Sequence, residues 1–131
     1  SGNMQALQQK NIAEGVIWLV INSSAPGKQG NYPPEKWKEL AAERKSAPTA
    51  ILLDADGKVG KLYMAKTTPE MFVIDSEGRI LFMGAIDDRP TTDVKDVEGA
   101  VNYVQLALRE ARAGYPVSVP ISKSYGCSVK Y

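Results

Sequence analysis

Apolar residues along the chain fall into blocks whose spacing switches between helical and strand patterns. Residues 3–14 carry apolar positions at helical spacing and end at Gly15, which predicts a short helix. The run 16–21 is continuous, β-branched and aromatic, and this composition is typical of a strand that is buried on both faces. A second helix is predicted to begin at Pro33 and Pro34, because a proline in the first helical turn needs no N–H donor.

The rest of the chain predicts a strand, a short helix, a hairpin and a longer helix. These elements are a strand at 50–54, a short helix at about 59–63, paired strands at 71–75 and 80–86, and a helix at about 94–111. Apolar positions of the last helix step by three and four through Val94, Val97 and Val101, and Gly114 stops it. From about residue 115 an irregular tail is predicted. Strands separated by helices favour parallel pairing, so the whole pattern predicts a mixed α/β sheet with helices on both faces.

Length and charge limit the classes of partner. The 131 residues fit one domain, and 44% hydrophobic with 24% charged residues is typical of an ordinary globular protein. Lys and Arg together number 16 and Asp and Glu 15, so the net charge is +1. No attraction to nucleic acid or to an acidic membrane follows from that balance. No apolar run reaches the roughly 18 residues of a membrane span. Neither kind of partner is predicted.

The chain has few reactive side chains. It contains no histidine, which removes the commonest general base and metal ligand and excludes Ser-His-Asp or Cys-His catalysis from within the chain. Its single cysteine, Cys127, can form neither an internal disulfide nor a thiolate metal cluster. No metal site and no cofactor are predicted.

Four segments together carry a family resemblance. They are the stretch 60–69 with its Thr67-Thr68-Pro69 ending, the strand and hairpin that follow it, the loop 22–27 and the ending 125–131. Taken together in their order along the chain, these segments resemble the thioredoxin-like superfamily, and within it the peroxiredoxin-like subgroup of redoxin (AhpC/TSA-type) proteins. The resemblance spans essentially all of residues 1–131. It implies a thioredoxin-like mixed sheet flanked by helices.

The resemblance implies that the Thr67-Thr68-Pro69 turn binds substrate. In thioredoxin-like proteins the proline at this place is cis, and an X-Pro bond reaches the cis form at a cost of only roughly 0.5–1 kcal/mol. A cis bond would turn the backbone of Thr68 outward, where its N–H and C=O could pair with an extended substrate or partner segment. The alternative is an ordinary trans proline that opens a strand.

The resemblance also implies that part of the domain is missing. The subgroup carries its reactive cysteine just after the first strand, at the start of the first helix, where the helix N-terminus lowers a thiol pKa. Ser1 corresponds to a place shortly after that cysteine. We therefore expect a domain that lacks its first, central strand and belongs to a longer natural protein, or one whose gap is filled by a homodimer or domain swap. Glu70 stands where relatives usually have histidine, which argues against a family base at that position.

Cys127 is the candidate catalytic thiol of this chain. In relatives the ending around it could bring a thiol to the upstream cysteine and resolve a sulfenic acid as a disulfide. Lys123 and Lys130 would favour the thiolate, and Gly126 permits a backbone turn that presents the sulfur. The alternative is an inert thiol, either packed as a small apolar residue or exposed in a flexible tail.

Two functions remain open on the sequence alone. The first is a thiol-based oxidoreductase domain that exchanges disulfides or reduces peroxides in the intact protein, with this chain inactive by itself. Its partners would be a protein or small-molecule disulfide or peroxide, and a thiol reductant. The second is a non-catalytic binding or structural module that keeps the thioredoxin fold and holds a partner on the Pro69 face. The compartment, cytoplasmic or exported from a bacterial cell, is open.

Overall fold

A computed structural model describes residues 2–89, 95 and 99–131. The chain is of the mixed α/β class predicted from its sequence pattern. Its elements are α1 (Asn3–Ala13), β1 (Leu19–Asn22), α2 (Pro34–Glu43), β2 (Ala50–Leu53), α3 (Lys58–Leu62), β3 (Thr67–Thr68), β4 (Met71–Ile74), β5 (Ile80–Gly84), α4 (Tyr103–Arg112) and β6 (Cys127–Ser128). Contacts group them into two compact units, residues 1–65 with 129–131, and residues 66–128.

The first unit is built on a parallel pair of strands. β1 lies beside β2 with Leu19 opposite Ala50 and Asn22 opposite Leu53. Trp18 is buried just before β1. Helix α1 buries Gln8, whose Oε1 accepts hydrogen bonds from the Ser46 hydroxyl at 3.1 Å and from the Ala47 N–H at 3.3 Å. A buried amide satisfied in this way fixes the helix to the loop before β2.

The prediction that the first strand is buried on both faces is wrong. Within the described residues β1 pairs only with β2, and Leu19 and Ile21 on one face are 50% and 40% exposed. Leu52, opposite Ile21, is 44% exposed. A continuous apolar run is buried on both faces only where other elements lie against both of them. The β1–β2 pair therefore presents an uncovered apolar face, formed by Leu19, Ile21 and Leu52.

A buried carboxylate joins the end of β2 to the start of α3. Asp54 accepts hydrogen bonds from the Ser23 hydroxyl at 2.6 Å, from the Gly60 N–H at 2.9 Å and from the Val59 N–H at 3.0 Å. Tyr131 belongs to the same unit, and its hydroxyl donates to the carbonyl of Ala65 at 2.7 Å. The acid that follows the strand thus stabilises the turn and the first N–H groups of α3.

The second unit is an antiparallel hairpin covered by a helix. β4 pairs with β5, with Met71 opposite Gly84 and Val73 opposite Phe82, which confirms the predicted hairpin. Phe82 is fully buried and its ring stacks on Tyr103 of α4 at 6.0 Å between centroids. The buried apolar residues of this core are Val73, Phe82, Ala85, Ile86, Val104 and Ala107. Because they come from both strands and from α4, they pack the helix onto the hairpin.

The predicted last helix begins too early. Helix α4 starts at Tyr103, and its N-cap is Asn102, whose side-chain oxygen accepts a hydrogen bond from the N–H of Gln105 at 2.9 Å. Val101 lies before this cap and is 46% exposed, so its place on the apolar face was wrong. The helical spacing of apolar residues continues through Val101. The helix nevertheless begins after Val101, because the Asn102 side chain caps it by accepting from the N–H of Gln105. Val94 and Val97 lie outside the described residues.

The tail from residue 115 is irregular, as predicted, and it is fixed at several points. Ile121 forms an isolated parallel bridge with Met83. The Ser122 N–H donates to the carbonyl of Met83 at 3.1 Å, and the Ser122 hydroxyl accepts from the N–H of Ala85 at 2.9 Å. The tail therefore runs along β5 before it reaches β6. No helix in the described part of the chain is long and apolar enough to cross a membrane.

Candidate functional site

The Thr68-Pro69 peptide bond is cis, as the resemblance led us to expect. Strand β3 ends at Thr68, and both Thr68 and Pro69 are exposed. The Glu70 carboxylate accepts hydrogen bonds from the N–H of Lys66 at 2.7 Å and from the N–H of Thr67 at 3.4 Å. Glu70 thus binds the backbone that enters the turn. From the sequence, Glu70 was expected only to lack the base that relatives have there, and its backbone contacts were not predicted.

Cys127 lies directly opposite Thr68. β6 pairs with β3 in the antiparallel sense, with Cys127 across from Thr68 and Ser128 across from Thr67. The Cys127 side chain is a free thiol and is exposed. Residues that face each other in this way have their Cβ atoms about 5 Å apart. The structure therefore brings the four predicted site residues, Thr67, Thr68, Pro69 and Cys127, into one place.

The pairing occupies one edge of the turn that the resemblance implies is a substrate site. The resemblance implied that the N–H and C=O of Thr68 pair with an extended substrate segment. In the structure the strand beside Thr67 and Thr68 is β6 of the same chain. An incoming segment would have to approach beside β6 or replace it.

Gly126 allows the tail to approach the turn closely. Its φ is +127°, and a Cβ built on it would lie 2.4 Å from the carbonyl oxygen of Thr68. Only glycine combines that backbone conformation with that approach. The residue before Cys127 is thus glycine for a steric reason as well as a conformational one.

A buried carboxylate holds the tail next to this glycine. Asp87 is 6% exposed, and its Oδ1 accepts a hydrogen bond from the Tyr125 hydroxyl at 2.5 Å and from the Arg89 N–H at 3.0 Å. Burial, then the hydrogen bond to Asp87 and then the charges of Asp87 and Asp88 raise the pKa of Tyr125 well above its ordinary value. The phenol therefore keeps its proton at neutral pH and donates a hydrogen bond to Asp87.

Sequence reasoning missed the Tyr125–Asp87 contact. Tyr125 was considered only as part of the ending 125–131 that carries the family resemblance, and Asp87 was given no role. The two residues are 38 positions apart, and neither hydrophobic periodicity nor a local motif links them. Among the described residues, no group of three or more His, Cys, Asp or Glu side chains could hold a metal ion.

Comparisons with known proteins give likeness to solved structures alone. No family model matches the chain, and no curated protein matches it. An uncharacterised conserved protein from Geobacillus kaustophilus is 26% identical, with a TM-score of 0.80 over 98% of this chain and 67% of that one. A hypothetical protein from Sinorhizobium meliloti 1021 is also 26% identical, with a TM-score of 0.74 over 98% of this chain and 70% of that one. Both neighbours are described without an activity.

Proposed function

We propose that this chain is part of a thiol-based oxidoreductase domain with a thioredoxin-like fold, in which Cys127 exchanges with disulfides. The observation that carries the proposal is the position of the exposed thiol, across from Thr68 at the start of the cis Thr68-Pro69 bond. A free cysteine is more often buried packing than an exposed strand residue. An exposed thiol held at a fixed backbone position is available for chemistry.

The reaction needs one thiol and one disulfide. The Cys127 thiolate attacks one sulfur of the substrate disulfide, a new S–S bond forms, and the old S–S bond breaks. The second substrate sulfur leaves as a thiolate and takes up the proton that Cys127 lost. A second thiol, supplied by a low-molecular-weight reductant or by another cysteine of the intact protein, then attacks the mixed disulfide and restores Cys127. Reduction of a peroxide would instead convert the thiolate to a sulfenic acid and release an alcohol or water.

We favour disulfide exchange because the described surroundings of Cys127 suit it. Exchange requires an accessible sulfur and a place for the substrate backbone, and Cys127 and Thr68 are both exposed. The substrate class is therefore a protein or small-molecule disulfide.

Mass spectrometry of the chain with oxidised glutathione tests the proposal. We expect one glutathionyl group to be added at Cys127 and removed by reduced glutathione, and no addition to Cys127→Ser. The matched control is the double variant Cys127→Ser with Ser128→Cys, which moves the thiol to the next residue and so to the other side of the strand pair. We expect the thiol at 127 to react at least about tenfold faster than the thiol at 128, since only the former lies opposite Thr68. Equal rates at both positions would contradict a dedicated site.

A non-catalytic binding module is the second candidate, and the uncovered apolar face of β1–β2 favours it. Leu19, Ile21 and Leu52 each remain at least 40% exposed, and a contiguous apolar patch often marks a contact surface. If binding to this face is the function, Leu52→Lys should abolish association of the chain with itself or a partner, as measured by sedimentation. The same change should leave the reaction of Cys127 with oxidised glutathione unaltered.

A further inference from the structure

We infer that Tyr125 and Asp87 are positioning residues, whose hydrogen bond holds the end of the tail so that Cys127 stays opposite Thr68. The structural part of this inference stands by itself, and its consequence for reactivity rests on the proposed function. The hydrogen bond between Tyr125 and Asp87 does not involve the Cys127 sulfur. The two residues act through Gly126, the one residue between Tyr125 and Cys127.

Asp87 is a fixed acceptor. It lies after β5, beyond Ala85 and Ile86, and forms an isolated antiparallel bridge with Asn102, the residue that caps α4. The carbonyl of Ile86 accepts a hydrogen bond from the N–H of Tyr103 at 2.9 Å, and the Asp87 carboxylate accepts one from the N–H of Arg89. Backbone bonds on both sides of a 94% buried carboxylate leave it little freedom to move.

The Tyr125–Asp87 bond anchors β6 on its N-terminal side. The β3–β6 ladder contains two residue pairs, and even a complete isolated two-stranded hairpin is marginally stable in water. Gly126, which approaches the Thr68 carbonyl, has no side chain with which to pack. The next fixed point before Tyr125 is Ser122, bound at Met83 and Ala85. The Tyr125–Asp87 bond lies between Ser122 and β6, so it fixes the stretch of tail that joins them.

The chemistry of the pair suits an anchor better than a proton donor. Because the pKa of Tyr125 is raised, mainly by burial, the phenol keeps its proton throughout the range in which an ordinary thiol, with a pKa of about 8.5, titrates. A phenol whose pKa is raised gives up its proton less readily, and it remains a hydrogen-bond donor over this whole pH range. A carboxylate acceptor makes such a bond stronger than one between neutral groups.

Hydrogen exchange of the peptide that covers residues 122–128 tests the positioning directly. Tyr125→Phe removes the donor, and Asp87→Ala removes the acceptor. We expect either change to speed exchange in this peptide about tenfold, the factor for a net loss near 1.4 kcal/mol. Asp87→Asn keeps an oxygen acceptor and should exchange within about threefold of the unaltered chain. Tyr115→Phe is the matched control, because Tyr115 lies in the same tail and is 69% exposed. In this variant the amides of residues 122–128 should exchange at the same rate as in the unaltered chain.

A double-mutant cycle separates one shared contact from two independent effects. Since both side chains act through the same bond, Tyr125→Phe with Asp87→Ala should be no faster in exchange than either single variant. Additive effects, or unaltered exchange in Tyr125→Phe, would overturn the inference. Thermal unfolding is recorded for each variant. If Asp87→Asn is destabilised globally as much as Asp87→Ala, the role is general stability and the inference also fails.

The rates with oxidised glutathione connect the anchor to the proposed function. In the Tyr125→Phe background the reactivity difference between thiols at positions 127 and 128 should shrink to less than about threefold, because a loose tail presents both alike. If exchange in the tail responds as expected and neither thiol reacts with the disulfide, the anchor stands and the oxidoreductase proposal fails. If Cys127 reacts and the preference for position 127 persists without the anchor, the positioning inference fails.

Discussion

A Cβ atom on Gly126 would lie 2.4 Å from the carbonyl oxygen of Thr68. Real Cβ atoms do not approach backbone oxygen this closely, so residue 126 must be glycine for β6 to lie where it does. The same glycine has a φ of +127°, which side chains rarely allow. The place of Cys127 beside the cis Thr68-Pro69 bond therefore depends on the residue before it.

Gly126→Ala should detach β6 from β3. We expect faster hydrogen exchange at residues 126–128 and a loss of about 1–3 kcal/mol in the free energy of that local contact, from backbone strain and the clash together. Gly114→Ala is the matched control, since its φ of +80° is also positive but its added Cβ meets nothing within 4 Å. If both variants change exchange at 126–128 equally, the close approach to Thr68 is not what requires glycine.

Asp54→Asn should destabilise the first unit in a pH-dependent manner. Burial raises the pKa of Asp54, but the hydrogen bonds from Ser23, Gly60 and Val59 outweigh it, so the folded-state pKa lies below the ordinary value of 3.8. A carboxyl group whose pKa is lowered on folding stabilises the protein above the unfolded-state pKa, and this stability is lost as pH falls through the folded-state pKa.

Urea unfolding at several pH values measures this effect. At pH 7 we expect Asp54→Asn to lower the free energy of unfolding by about 2 kcal/mol, because one acceptor of buried donors is lost. The difference from the unaltered chain should shrink as pH falls below about 4. Glu43→Gln, which changes an exposed carboxylate of the same unit, should show neither effect. A difference that stays constant down to pH 2 would contradict the role of the ionised carboxylate.

Local patterns predicted the elements better than the contacts between them. The alternating blocks placed α1, α2, α3 and the β4–β5 hairpin near their observed positions, because each depends on the spacing of neighbouring residues. The predicted start of α4 was wrong because the Asn102 cap begins the helix after Val101, although the apolar spacing continues through that residue. The exposed face of β1 could not be foreseen, since a strand's sequence does not state which elements cover it.

Individual site residues were easier to predict than their geometry. The resemblance led to Thr67, Thr68, Pro69 and Cys127 as separate candidates. It did not state that Cys127 and Thr68 face each other, because that register depends on Gly126 and on the anchors of the tail. The Tyr125–Asp87 bond joins residues 38 positions apart. No local rule connects such a pair.

Phe82→Ala should remove most of the stability of the second unit. Its ring is fully buried against Tyr103 and other core residues, and truncation of a buried phenylalanine typically costs about 3–5 kcal/mol. Ile80→Ala, on the same strand at a position that is 48% exposed, should cost less than about 1.5 kcal/mol. Chemical denaturation of both variants measures the difference. Similar losses would show that the core does not centre on Phe82.

Gly60→Ala sets helix propensity against packing. Gly60 lies within α3, where alanine is favoured over glycine by roughly 1 kcal/mol. A Cβ at this position would lie 2.6 Å from the Ser23 hydroxyl oxygen and 2.8 Å from the Tyr131 hydroxyl oxygen. Because the Ser23 hydroxyl and the Gly60 N–H both donate to Asp54, any shift that relieves the clash weakens that network. We expect packing to prevail, with a net loss of about 1–2 kcal/mol.

The sign of this change is the critical result, and thermal or urea unfolding determines it. Gly2→Ala is the control, because an added Cβ there meets nothing within 4 Å. Removal of the Ser23 hydroxyl removes the nearest clash, so Ser23→Ala with Gly60→Ala should be less destabilised than the sum of the single changes. A stabilised Gly60→Ala variant would mean that propensity dominates. If the losses in the free energy of unfolding are strictly additive, Ser23 and Gly60 are energetically independent. They would then not act through a shared contact with Asp54.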